Sequence, residues 1–450
     1  MLSNGSLTVI LPILSGIAAA LLCFFYCRCA LPERGTVEWI HAAVQRPQFE
    51  NAFSRGRLTA LDAWLIVCAC VLYALLSAAS LLYCRLSGAF SAGGALTFGS
   101  AQPLWSAIAA ALSSLFGSEG ALSKIPGVIF GTLTVALSGV FMKMLCKSSL
   151  GTFFSLLTLI FGGIFFTVCG IDAHASFSAL LIVATFFTMY LYITSDDDAS
   201  PAKTLIPALL CGLIFGLGCA VTPQMALSAP GLIAALLFAL IVRGVPGVRS
   251  SDGKRILMLV GSFIVLPAAA YAAACLACGA HFPQELSRFL AASDAKNILL
   301  LKRGFLGLTP DVFFRAADSG KHISVSALRN PLVCVSSVMA IIILIQRTVK
   351  HRDSGALFIL FALMTTLLPA ALFGGTSADC VIGDIFAVPA LSFVFAALFE
   401  RKRRGSTAFA IVFAVMTVFV FALYFPVLAG IPVKSAYTDA FLAWFPCWHF

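Results

Sequence analysis

Residues 173–194 read Ala-His-Ala-Ser-Phe-Ser-Ala-Leu-Leu-Ile-Val-Ala-Thr-Phe-Phe-Thr-Met-Tyr-Leu-Tyr-Ile-Thr, with no Asp, Glu, Lys or Arg in the run. About 20 mostly apolar residues are enough to cross the hydrocarbon core of a bilayer as a helix. In lipid every backbone N–H and C=O must be bonded internally, so such a run is a membrane-spanning helix. The stretch has many counterparts. Similar runs lie near 7–27, 60–84, 125–146, 150–169, 204–221, 226–242, 256–279, 331–346, 356–373, 384–399 and 408–428, which gives about twelve spans. The alternating ten-residue segments of a membrane β-barrel are absent from the sequence.

Composition agrees. Hydrophobic residues make up 60% of the 450 and charged residues 11%, with a mean hydropathy of +1.01. A soluble domain carries roughly 25% charged residues. The formal net charge is +10, but the basic residues sit in short loops between spans, where they set topology. Nucleic-acid binding is therefore not expected. The 15 cysteines are scattered and mostly inside spans, including Cys23, Cys27, Cys68, Cys70 and Cys211; such thiols act as small hydrophobes. Cys275 and Cys278 form a CxxC in an apolar helix with no second pair.

Met1–Thr8 carries no Lys or Arg before the first apolar run, whereas Arg28, Arg34, Arg46, Arg55 and Arg57 follow it. That order reads as an uncleaved first span with its N-terminus outside the cell membrane. The loops at 28–59, 147–149, 195–203, 243–255, 347–355 and 400–407 then face the cytoplasm and hold most of the Lys and Arg. Residues 103–117 form a short helix with Leu104, Ile108, Leu112 and Leu115 at helical spacing, read as an interfacial helix on the outer surface. Residues 280–330 form the one large outer loop. The chain divides into an additional span with a basic linker (1–56), an N-terminal helical module (57–255), a span plus outer loop (256–330) and a C-terminal region of four spans (331–450).

Acids on the outer side are few. Asp172, between two apolar helices, is the leading candidate, because an ionisable group at membrane depth is costly and tends to be functional. The plainer reading is a helix N-cap, for which Asp is favoured. His174 follows it, but one Asp and one His do not define a metal site, and no metal or cofactor is expected. The run Asp196-Asp197-Asp198 reads as a solvated turn before Pro201, and Asp379 and Asp384 as solvated loop residues.

The order of elements resembles the bacterial protein O-mannosyltransferases, family 39 of the GT-C membrane glycosyltransferases. Arg57-Leu-Thr-Ala-Leu-Asp-Ala-Trp resembles the start of that family's first helix, and Gln102-Pro103-Leu104 with the helix after it resembles its His-Pro-Pro-Leu segment. Ser123-Lys-Ile-Pro-Gly-Val-Ile-Phe-Gly resembles the opening of its next span, and Gly170-Ile-Asp172 its Ile-Asp step into a helix. Gly212–Leu232 resembles its paired helices; Tyr424-Phe-Pro-Val-Leu-Ala-Gly-Ile-Pro and Trp444-Phe-Pro-Cys-Trp448 resemble its C-terminal close. The resemblance covers about residues 57–450.

The resemblance implies an all-α GT-C-like bundle that transfers a sugar from a polyprenyl-phosphate carrier to a Ser or Thr hydroxyl of an exported protein at the outer face. It implies Asp172 as catalytic acid or base, Glu119 as a second candidate by location, and Arg85 and Lys124 as candidates to hold the phosphate. The sequence also departs from the family. The loop at 85–118 contains no Asp or Glu where the family carries its catalytic acid. Ala101 and Gln102 stand in place of the family's His, Thr167 and Thr222 replace expected basic residues, and the span at 7–27 is additional. Three functions remain: an active transferase with rearranged catalytic residues, an inactive member serving as a partner or regulator, and a multi-span transporter. Against the last, the two halves show no repeat.

Overall fold

The computed structural model describes residues 56–87, 103–117, 122–162, 165–166, 169, 173–195, 201–222, 224–243, 260–279, 340–349, 353, 355–363, 391–396, 408, 411–419 and 421–422. The expected first span, the basic linker at 28–59 up to residue 55, and the large loop at 280–330 lie outside them.

Helix α1 (Ala60–Ser87) starts where the sequence supplies a cap. The Thr59 N–H donates to Asp62 Oδ2 at 2.8 Å, and the Asp62 N–H donates back to Thr59 Oγ1 at 3.3 Å. This reciprocal box satisfies two donors that a helix start leaves unpaired. The interfacial segment is α2 (Pro103–Phe116). A 3-10 turn, Leu122–Lys124, leads into α3 (Ile125–Cys146), which has Pro in its first turn, where the missing N–H costs nothing. Lys147 closes α3 in the left-handed conformation, φ 60°. Ser148 then caps α4 (Ser149–Ile160), its hydroxyl accepting from the Gly151 N–H at 3.1 Å. There follow α5 (Ala173–Ile193), α6 (Pro201–Val221), a single turn Gln224–Leu227, α7 (Ala229–Arg243), and α8 (Leu266–Ala277), which is entered through a π-helical turn, Gly261–Val265. Residues 340–349, 355–363, 391–396 and 411–419 are helical within the remaining expected spans. No strand occurs among the described residues.

Expected spans and helices agree closely for α3 and α5. The run at 150–169 does not form one helix. α4 stops at Ile160, the Phe161 N–H closes on Leu157 O at 2.9 Å, and Gly162-Gly163 follows. Two adjacent glycines weaken helix continuation, which hydropathy alone does not register.

The core is aromatic and lies between α1, α3, α4, α5 and the helical stretch 355–363. Phe358 packs against Phe141, Phe186 and Tyr190 at 6.2, 6.1 and 5.5 Å between ring centroids. Large apolar residues also cover the outside: Trp64, Leu61 and Leu75 on α1 are exposed, as are Val412, Val415 and Phe419. A soluble monomer does not present such a surface to water. Ala60–Ala79, Leu122–Cys146 and Ala173–Ile193 are each long and apolar enough to cross a membrane. The chain is an all-α, multi-span membrane protein whose outer surface faces lipid.

Candidate functional site

Helix α2 docks by the face that carries Trp105 and Ala109. These two are buried, Leu104, Ile108 and Leu112 are half-buried beside them, and Leu115 is exposed. The apolar stripe expected from sequence is therefore shifted by one position toward Trp105, and its last member does not pack. Trp105 and Ala109 rest on Ala173 at the start of α5 and Val221 at the end of α6. α2 thus seals the place where α5 begins and α6 ends.

His174 holds that junction. Its Nε2 lies 2.9 Å from the carbonyl of Val221. A carbonyl only accepts, so Nε2 carries the hydrogen and satisfies one of the last carbonyls of α6. Trp105 covers the imidazole at 4.9 Å between ring centroids, and Phe177 continues the aromatic packing to Phe130 at 4.8 Å. His174 is thereby a structural bridge between α2, α5 and α6.

The third wall is α3. Gly127 and Gly131 are four apart and share one face of the helix, and Lys124 caps its start, ending the 3-10 turn three residues before Gly127. Lys124 is 5% exposed and Ser123 fully buried. At Gly127 a Cβ would lie 2.7 Å from the Cys169 carbonyl and 3.6 Å from Ala173 Cα, so only glycine lets the chain leading into α5 come this close. Ser176 Oγ fixes the same carbonyl, donating to Cys169 O at 2.7 Å.

Of the residues selected from sequence, Lys124 is brought within one turn along α3 of the docking point of Ala173. Asp172 immediately precedes Ala173 in the chain, but it and Glu119 lie outside the described residues. Arg85 is in the last turns of α1, and its side chain is likewise outside the description. Sequence reading missed Trp105. It weighed His174 only as a metal ligand; the aromatic at the start of an amphipathic helix was the available signal. No group of three or more His, Cys, Asp or Glu side chains suited to a metal occurs among the described residues.

Trp105→Ala is expected to loosen α2 without unfolding the bundle. The loss is one of packing, of order 1–2 kcal/mol, because the ring leaves protein contacts for lipid and not for water. Hydrogen–deuterium exchange should rise about tenfold over residues 103–117 and stay unchanged in α3; unchanged exchange in α2 would show that Trp105 does not hold it.

No protein-family profile and no curated protein sequence matches the chain. Solved structures do resemble it. The Archaeoglobus fulgidus oligosaccharyltransferase in its apo form superposes with a TM-score of 0.50 at 14% identity, covering 84% of this chain and 57% of that one. The same protein tethered to an acceptor peptide containing the NVT sequon gives 0.48 at 12% identity, with 84% and 57% covered. ArnT from Cupriavidus metallidurans bound to undecaprenyl phosphate gives 0.45 at 12% identity, with 74% and 63% covered. The chain spans somewhat over half the length of the oligosaccharyltransferase it matches. At these identities the likeness is one of fold, and the fold is a GT-C-like bundle of membrane-spanning helices.

Proposed function

We propose that this protein is a membrane glycosyltransferase that moves a sugar from a polyprenyl-phosphate carrier to a Ser or Thr hydroxyl of an exported protein at the outer face. The observation that supports it best is the meeting of α2, α3, α5 and α6 at one end of a fold shared with an oligosaccharyltransferase. Ala173, the residue that follows Asp172 in the sequence, lies at that meeting, and the buried Lys124 ends the turn that leads into α3. The sequence resemblance independently selects the same step.

In this reading the carboxylate of Asp172 accepts the proton of the acceptor hydroxyl as its oxygen attacks the anomeric carbon. The bond from that carbon to the phosphate oxygen breaks, and the electron pair leaves with the phosphate. Lys124, or Arg85, balances the charge that remains on the carrier. The carrier's prenyl tail stays in the bilayer, and its charged phosphate is confined to the interface by the cost of entering hydrocarbon. Glu119 is the second candidate for the acid. The N-terminus lies outside, and residues 57–255 form the module that holds the site.

A second reading is favoured by one observation, the lack of any acid across 85–118: a family-like scaffold without transfer activity that acts as partner to an active enzyme. Both are tested by incubating the full chain with membrane-extracted polyprenyl-phosphate sugars and a Ser/Thr-rich peptide, and following transfer by mass spectrometry. Asp172→Ala is expected to lower transfer about a hundredfold. Equal transfer by wild type and variant would remove Asp172 from the reaction. No transfer with carrier retained would favour the inactive scaffold, and neither transfer nor retention would leave transport as the remaining class.

A further inference from the structure

The far end of α3, about 33 Å along the helix from Lys124, gathers cations. Lys147 closes the helix there at φ 60°, the single non-glycine residue with positive φ among the described residues. Glycine is the usual choice at such a position, because a Cβ makes the left-handed conformation costly. The chain before α1 comes to the same point. The Gly56 N–H donates to Met144 O at 2.9 Å, and a Cβ at Gly56 would lie 3.3 Å from Lys147 Cα. Arg57 follows Gly56, and both Arg57 and Lys147 are exposed. The loop that holds Asp353 arrives from the other side: Asp353 accepts from the Gly355 N–H, and a Cβ at Gly355 would lie 3.1 Å from Leu145 O. Among the described residues around this end, the four cations Arg57, Lys143, Lys147 and Arg347 face the two acids Asp62 and Asp353, a net charge of +2. Lys143 lies 3.1 Å from Asp62 and Arg347 3.5 Å from Asp353. Apolar side chains flank the group. Leu58, Leu61 and Trp64 at the start of α1 and Leu150 at the start of α4 are exposed, Trp64 by 70%.

We infer that Arg57 and Lys147 bind the phosphate of an anionic phospholipid whose acyl chains lie against Leu61, Trp64 and Leu150. Both side chains donate and a phosphate oxygen accepts, with opposite charge strengthening each bond. Leu61 and Trp64 are three apart and share one face of α1, and tryptophan is favoured at headgroup level. A soluble phosphate would have no use for these apolar side chains. A zwitterionic headgroup would bring a cation of its own to a positive end. The dipole of α3 accounts for a lysine near its last turn. It does not account for a lysine in a conformation that glycine adopts without strain, nor for the second cation carried in behind Gly56. With the N-terminus outside, the site belongs to the cytoplasmic leaflet, where anionic lipids attract basic residues. It lies at the opposite end of α3 from the proposed transfer site and does not depend on that reaction.

The test places the full chain in nanodiscs of equal phosphatidylglycerol and phosphatidylcholine and counts the lipids retained on release by native mass spectrometry, with inorganic phosphate as competitor. Wild type is expected to retain phosphatidylglycerol in preference. Arg57→Gln/Lys147→Gly should lower that retention at least tenfold. Lys147→Gly alone keeps the fold, because glycine suits the left-handed position. Its melting temperature in pure phosphatidylcholine should equal or exceed that of wild type, while the rise that phosphatidylglycerol gives wild type should shrink. Lys147→Arg keeps the charge and should keep the lipid. Arg347→Gln removes one charge from the same end, but one engaged with Asp353 and the Phe393 ring, and should also keep it. Equal losses in Lys147→Gly and Arg347→Gln would assign retention to net charge and overturn the inference. Unchanged retention in the double variant, equal retention of the two lipids by wild type, or displacement by inorganic phosphate would each overturn it too. So would a fall in the melting temperature of Lys147→Gly as large in phosphatidylcholine as in phosphatidylglycerol, which would make Lys147 a structural residue alone.

Discussion

Asp62→Ala is expected to destabilise the folded protein by about 3–5 kcal/mol, because it strands a buried cation. Lys143 Nζ lies 3.1 Å from Asp62 Oδ1, and the two side chains are only 7% and 1% exposed. The approach is an ion pair by distance, although it does not follow a hydrogen-bond direction at Oδ1. The other carboxylate oxygen is occupied: Thr59 gives it both its N–H, at 2.8 Å, and its hydroxyl, at 2.7 Å. Lys143 in turn donates to Ser149 Oγ at 2.7 Å. Four elements are tied by this cluster: the chain before α1, α1 itself, the last turn of α3 and the first of α4. The reciprocal change, Lys143→Met, should cost less, since Thr59 still holds the carboxylate. The double variant Asp62→Ala/Lys143→Met should recover most of the loss, because an apolar pair needs no desolvation. Unfolding in mixed micelles titrated with sodium dodecyl sulfate, followed by tryptophan fluorescence, reads all three. Additive losses below about 1 kcal/mol each would show that the pair contributes nothing as a pair.

That ion pair also marks how far the sequence was readable. The spans of α3 and α5 were legible nearly to the residue, because hydropathy and the absence of charge are local properties of the run itself. Asp62 was noticed only as part of a helix start, and Lys143 was passed over inside an apolar span. Their pairing depends on the antiparallel register of α1 and α3, which no local pattern encodes. The same limit applied at α2. The stripe Leu104, Ile108, Leu112, Leu115 gave the helix and its amphipathic character. Which side of that stripe faces inward was decided by Trp105 and Ala109 meeting Ala173 and Val221, and Leu115 was left exposed. For the site, the Ile-Asp step before α5 was selected by its likeness to a family, and Asp172 itself lies outside the described residues, whereas the stacking of Trp105 on His174 was not anticipated.

Gly212→Ala should cost about 3 kcal/mol, and Gly216→Ala a similar amount, at the crossing of α6 and α8. Membrane helices gain little from the hydrophobic effect between one another, so close approach through small residues is the main source of their association. Gly212 and Gly216 are four apart and share a face. A Cβ at Gly212 would strike the Ser262 carbonyl, and one at Gly216 would strike the Pro267 carbonyl, both backbone atoms that cannot rotate aside. The carbonyl at Ser262 is special. The turn Gly261–Val265 is π-helical, with the Leu266 N–H reaching back to Gly261 O, and in that register the donor owed to Ser262 O is residue 267. Residue 267 is proline and has no N–H. The missing Cβ at Gly212 is what lets this oxygen lie so close to α6. The alanine methyl removes that contact and pushes the helices apart beside a cavity of about 80 Å³ lined by Met189, Cys211, Phe215, Phe263 and Pro267. Gly218→Ala is the control, since its methyl would meet the Met225 side chain and no backbone atom, and should cost less than the changes at 212 and 216. Equal effects at all three positions would assign the loss to backbone propensity; a loss confined to 212 and 216 would assign it to the crossing, where both glycines meet backbone carbonyls of the facing segment.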